Sequence, residues 1–200
     1  MEIILILAPV AGFLYFKSRE QQRRIALLAS YLGRFEIEKL MQTLIEGYMR
    51  ALDETSPERR AQVWAHLKQH EDRLCQQLNE FALTLKDVWS EYTLVSTLPF
   101  AFPWADRLFP KATFDLRRAI QIHAQGIETL VAQTEGIKAE DRAYTLTAEM
   151  MLMQHTCHWF CRSKAVASAR LLARHKTSYE QVLGAVSPAT RQAYQGLIAN

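Results

Sequence analysis

Val63, Leu67, His70, Leu74, Leu78, Phe81, Leu85, Val88, Tyr92 and Val95 recur at steps of three or four over 33 residues. Neighbours at that spacing share one side of an α-helix, whereas a strand repeats every second residue, so the series writes a long amphipathic helix. A stripe of this length must be covered, and the rest of the chain offers helices to cover it. From Arg23 to Leu52 a second series, Leu28, Leu32, Ile37, Leu40, Leu44, Tyr48 and Leu52, recurs every three to five residues with charged side chains in the gaps. Between the two, Asp53-Glu54-Thr55-Ser56-Pro57-Glu58 provides a cap at Thr55 or Ser56 and a proline suited to a first helical position. Two long helices joined by so short a turn predict an antiparallel hairpin.

Helical spacing resumes at Leu116, Ile120, His123, Ile127 and Leu130, with Thr113 as the expected cap, and Gly136 in TEGIKAED marks its end. A fourth segment is expected from about Ala139 to His175, with Leu146, Met150, Met153, Cys157, Phe160 and Leu171 on one side. Thr177 with Glu180 suggests a capping box, and a last helix is expected from Ser187-Pro188. Neither sustained alternation nor an Asn-Gly turn is present, and 7 Gly and 6 Pro in 200 residues suit helices. The expected fold is all-α, an N-terminal membrane-anchor helix continuing into a bundle of about five helices.

The anchor expectation comes from the uncharged run Ile3 to Phe16, 14 residues. As a helix it is about 21 Å long, against a hydrocarbon core of about 30 Å, short for a span but apolar all round. Glu2 precedes it and Lys17, Arg19, Arg23 and Arg24 follow, the reverse of a secretory signal. The positive-inside rule then predicts a single-pass membrane protein with its N-terminus outside and its C-terminal domain cytoplasmic. The expected division is residues 1–17 as anchor and 18–200 as a cytoplasmic helical domain, with Lys17, Arg19, Arg23 and Arg24 facing lipid headgroups. Three cysteines, Cys75, Cys157 and Cys161, do not make the dense even set of a secreted disulfide scaffold.

The stretch STLPFAFPWADRLFPKATF, residues 96–114, breaks the helical period with Pro99, Pro103 and Pro110 and gathers aromatic side chains. The preferred reading of such a loop is a packed connection that caps the bundle, and the second is a contact surface through Phe100, Phe102, Trp104 and Phe109. A second candidate is EMMLMQHTCHWFCR, residues 149–162, where His155, Cys157, His158 and Cys161 fall one helical turn apart in pairs. Sulfur and imidazole together suit zinc, copper(I) or haem iron, while the spacing is neither that of a structural zinc turn nor that of covalent haem attachment. The preferred reading of this stretch is nonetheless core, through Met150, Met153, Cys157 and Phe160, because Cys and Met are commonly buried.

A formal net charge of +3 is mild, and the cations at Arg162, Lys164, Arg170, Arg174, His175 and Lys176 scatter round their helix, so nucleic-acid binding is not indicated. No phosphate-binding loop, nucleophile elbow or zinc-protease helix occurs, and no cofactor is implied. The function expected is therefore non-enzymatic: a membrane-anchored helical protein that binds and organises or regulates a membrane protein complex, with membrane or cytoplasmic proteins, or a second copy, as partners. The alternative is a metal or haem carrier using His155, Cys157, His158 and Cys161.

Overall fold

The computed structural model describes the backbone of residues 2–133 and 136–199, with side chains from Pro9 onward. Thr134 and Glu135 of the TEGIKAED break, and the side chains of the apolar run before Pro9, lie outside the described residues. The protein is all-helical apart from one small ribbon. Its helices are α1 (Glu2–Leu32), α2 (Ile37–Asp53), α3 (Pro57–Lys86), α4 (Ala105–Leu108), α5 (Leu116–Ala132), α6 (Ala139–Cys161), α7 (Lys164–His175), α8 (Tyr179–Ala185) and α9 (Pro188–Ala199).

Helices α2 and α3 pack on each other across a short turn, with Ser56 accepting from the Arg59 amide at 3.4 Å and Pro57 in the first helical position. The helix before it is not continuous. Gly33 ends α1, its amide bonding Ala29 O at 2.9 Å, and the chain turns through Phe35 before α2 begins. The stripe of α3 also outlasts its helix: α3 stops at Lys86, and Val88 and Val95 are buried without being helical in it. The spacing of apolar residues runs on through Tyr92, but Tyr92 is exposed, and the backbone has left the helix to form a 3-10 turn at Ser90–Tyr92 and a strand, β1 (Leu94–Ser96).

Strand β1 pairs antiparallel with β2 (Thr113–Asp115), Val95 opposite Phe114, against the expectation of no strands. Three-residue strands with one buried position each are too short to write an alternation. Because Thr113 is in β2, the cap of α5 is Asp115, which accepts from the Arg117 amide at 2.9 Å. The fourth segment divides at Arg162 and Ser163, where Ser163 caps α7, and the capping box belongs to Ser178 with Gln181, one residue beyond the expected pair.

The core is built from α2, α3, α5 and α6, with α7 and α8 against α6 and α9 against α5. Gly126 shows how closely α5, α6 and α9 approach. A Cβ there would collide with Thr190 Oγ1 and stand 3.0 Å from Glu149 Oε2. Alanine would be favoured in a free helix by about 1 kcal/mol. Gly126→Ala is nevertheless expected to destabilise the protein by about 1–3 kcal/mol, the range of overpacked cores, which urea unfolding would measure.

The single-pass anchor is not supported. Among the described residues no helix is long and apolar enough to cross a membrane. The physical reason lies in α1: its uncharged part is bounded by Glu2 and Lys17, and the same helix continues through Arg19, Glu20, Arg23 and Arg24 onto the body. With no span, the assignment of the N-terminus outside and the remainder cytoplasmic loses its basis. The expected boundary at residue 17 falls inside one continuous helix.

Candidate functional site

Residues 97–112 connect β1 to β2 and are held by their ends. Thr97 N bonds Ala112 O at 2.9 Å, Ala165 N bonds Pro99 O at 3.0 Å, and Trp159 Nε1 donates to Ser96 O at 2.9 Å. Three prolines deny the interior a helix or sheet of any length, leaving the four residues of α4. Trp104 enters α4 in the left-handed region, φ 57°, a conformation that costs a residue with a Cβ about 1–2 kcal/mol. Its amide is donated to Glu20 Oε2 of α1 at 3.1 Å, which ties the loop to α1.

The tie sets two apolar sequences side by side. Phe13 meets Phe102 at 5.7 Å between ring centroids, Phe16 meets Trp104 at 5.1 Å, and Phe102 meets Phe109 at 6.5 Å. These contacts leave the rings largely in solvent: Phe100 is 73% exposed, Trp104 and Phe109 47%, and Phe102 45%. A packed connection would hide them, as it hides Phe114, which lies edge-on against the buried Trp159. Val10, Leu14, Tyr15 and Leu108 are exposed beside them. Nothing in the linear sequence places Phe13 and Phe16 against the loop; they and their partners Phe102 and Trp104 are some 90 residues apart and no local pattern joins them.

The four cations after the apolar run divide in two. Arg24 turns inward, pairing with Glu20 at 2.8 Å and stacking over Phe160, and Arg23 lies over the Tyr92 ring at 4.4 Å. Lys17 borders the loop near Phe100 and Phe102, and Arg19 is exposed.

The His and Cys cluster separates. His155 is buried on one side of α6, its Nε2 3.0 Å from Ser168 Oγ and its ring 4.6 Å from that of Tyr179. Cys157, His158 and Cys161 face a groove between α6, α1 and α2, lined mainly by Ile25, Leu28, Leu32, Met41, Phe81 and Met153. Its volume is about 180 Å³, below the roughly 300 Å³ at which drug-sized ligands are usually enclosed. Burial pushes the Cys157 thiol up to about 12 and the Cys161 thiol to about 11, away from the thiolate that binds metal. His123 and His70 do not join them: His123 bonds Thr156, and His70 pairs with His66 on α3. Among the described residues no three His, Cys, Asp or Glu side chains stand where they could hold a metal ion.

Two buried polar networks were not legible beforehand. Glu71 of α3 accepts from Tyr48 Oη of α2 at 2.7 Å and pairs with Arg142 of α6. Thr156 Oγ1 contacts Leu152 O, His123 Nε2 and Tyr194 Oη, each at 2.9 Å. The threonine has one proton, and only Leu152 O must receive it, so His123 and Tyr194 both donate to Thr156. His123 is thereby the neutral Nε2–H tautomer. Both read as packing devices.

No family model matches this chain, and neither a curated protein nor a solved structure matches it. The functional reading rests on the geometry.

Proposed function

We propose that this chain works by binding, as a non-catalytic docking protein whose apolar end attaches it to a larger assembly and whose helical body organises that assembly. The observation that carries the reading is the chain of exposed rings in contact, Tyr15, Phe16 and Trp104 and then Phe13, Phe102 and Phe109, with Phe100 beside Phe102 and the exposed Val10, Leu14 and Leu108 on the same two segments. Lone exposed apolar residues are ordinary, but a contiguous group of large ones marks an interaction surface. The loop that carries half of them is fastened at both ends and at Trp104, so its rings are presented rather than free to fold away.

The test is the triple variant Phe100→Ser, Trp104→Asn and Phe109→Ser in the full chain. Surface changes of this kind move stability by about 0.5 kcal/mol each or less, so the melting temperature is expected to fall by no more than about 6 °C. In aqueous buffer the unsubstituted chain is expected to self-associate with rising concentration, and the variant to stay monomeric in light scattering. A variant that melts far lower would show these rings to be core. A parent chain that is monomeric and also binds no lipid surface would equally overturn the reading.

A further inference from the structure

We infer that the occupant of the apolar end is an anionic lipid leaflet, entered from one side and not crossed; this rests on the docking reading above. The first reason is the distribution of side chains on α1. At about 100° per residue, Val10, Leu14, Ala11, Tyr15, Phe16 and Phe13 stand at about 0°, 40°, 100°, 140°, 240° and 300°, leaving no sector wider than about 100°. All six are exposed. A groove on a protein, or a second copy of this chain, takes one face of a helix as its anchors, whereas lipid surrounds it.

The loop beside α1 has the same character at the same level, since Phe13 meets Phe102 and Phe16 meets Trp104. Trp104 and Tyr15 combine a large apolar body with one polar atom, the side chains that favour the boundary between acyl chains and headgroups. On the same two segments lie Lys17 and Arg19 of α1, Lys17 bordering the loop, and the exposed Arg107 and Lys111 of the loop. None of these four has an ion-pair partner among the described residues, while Arg24 is consumed by Glu20. Of the nearby acids, Glu20 is engaged with Arg24 and the Trp104 amide, and Asp106 is half-buried. Four cations left open around an apolar prong complement the negative headgroups of an anionic leaflet.

The length of the run agrees with entry rather than crossing: the uncharged stretch Ile3 to Phe16 is about 21 Å long as helix, short of the roughly 30 Å of the hydrocarbon core.

The experiment is co-sedimentation of the full chain with vesicles of phosphatidylcholine alone or with phosphatidylserine. Binding to the anionic vesicles is expected to be about tenfold tighter or more and to weaken with salt. Brominated acyl chains are expected to quench tryptophan fluorescence, and Trp104→Phe to remove most of that quench. Lys17→Gln, Arg19→Gln, Arg107→Gln and Lys111→Gln together should reduce binding to the level of neutral vesicles. Failure to sediment with either vesicle would overturn the inference, as would binding insensitive to the four cations or unquenched by brominated lipid. If the chain ignores vesicles but still loses self-association in the Phe100, Trp104 and Phe109 variant, the docking reading stands and its occupant is protein. If it shows neither behaviour, both fall.

Discussion

Replacing Arg142 with Ala is expected to cost about 3–5 kcal/mol of stability, the range for breaking a buried ion pair by removing one partner. Glu71 is 1% exposed, and its carboxylate has two partners, Tyr48 and Arg142. Together they join α2, α3 and α6, so the uncompensated charge would sit at the meeting point of three helices. Burial and the Glu71 carboxylate hold the Tyr48 hydroxyl far above its ordinary value, which keeps it a donor at any working pH. Tyr48→Phe removes one hydrogen bond to a charged group and is expected to cost less, about 1.5–3 kcal/mol. The triple change Glu71→Met, Arg142→Met and Tyr48→Phe removes both charges together with the buried hydroxyl that Glu71 satisfies, and is expected to be close to neutral. Urea unfolding followed by circular dichroism measures all three, and an Arg142→Ala cost smaller than that of Tyr48→Phe would refute the charge argument.

Acid is expected to unfold the protein earlier than surface charges alone would, because two histidines are buried neutral. Burial, with His155 nearby, holds His123 down at about 3, and burial with Lys164 nearby holds His155 at about 4. In the unfolded chain each takes a proton near its ordinary value of about 6.5. Between that value and the folded one the unfolded state binds the extra protons, so stability is present above pH 6.5 and falls as pH drops toward 4. Each histidine contributes a slope of about 1.4 kcal/mol per pH unit there, together about 3. Glu149, raised by burial, acts in the opposite sense, since the folded state holds its proton more tightly. The cleanest measurement is therefore the urea midpoint from pH 7 to pH 4 in an E149Q background. His123→Gln keeps a donor for Thr156 and should remove about one proton from the slope; an unchanged profile would refute the assignment.

Helix content was readable because burial imposes a period on side chains: α3 carries that period with Ser56 and Pro57 at its start and α9 begins at its expected proline, while α2 and α5 carry the period without the cap signal, Thr113 lying in β2. The same rule misled where burial continued past the backbone that produced it. Val88 and Val95 keep the α3 stripe although the chain has become a turn and a strand, so periodicity alone could not end the helix at Lys86. Gly33 and Ser163, which divide two expected long helices, are single weak signals that tertiary packing decided. At the candidate site the four loop aromatics were named in advance, but their exposure was not, because exposure depends on what else packs there.

What the linear chain determined alone was the class of structure and the materials of the site: amphipathic helices, a proline-broken aromatic stretch, and an apolar run ending in cations. Local chemistry suffices for these, since spacing, capping and ring-locked backbones act over a few residues. Tertiary structure decided which of those materials meet. It set Phe13 and Phe16 against Phe102 and Trp104, drew Arg23 and Arg24 onto the body while leaving Lys17 and Arg19 open, and turned His155 away from Cys157, His158 and Cys161. It also paired Glu71 with Arg142 across 71 residues. Such encounters follow from how whole helices fill a common core, a property that no short window of sequence contains.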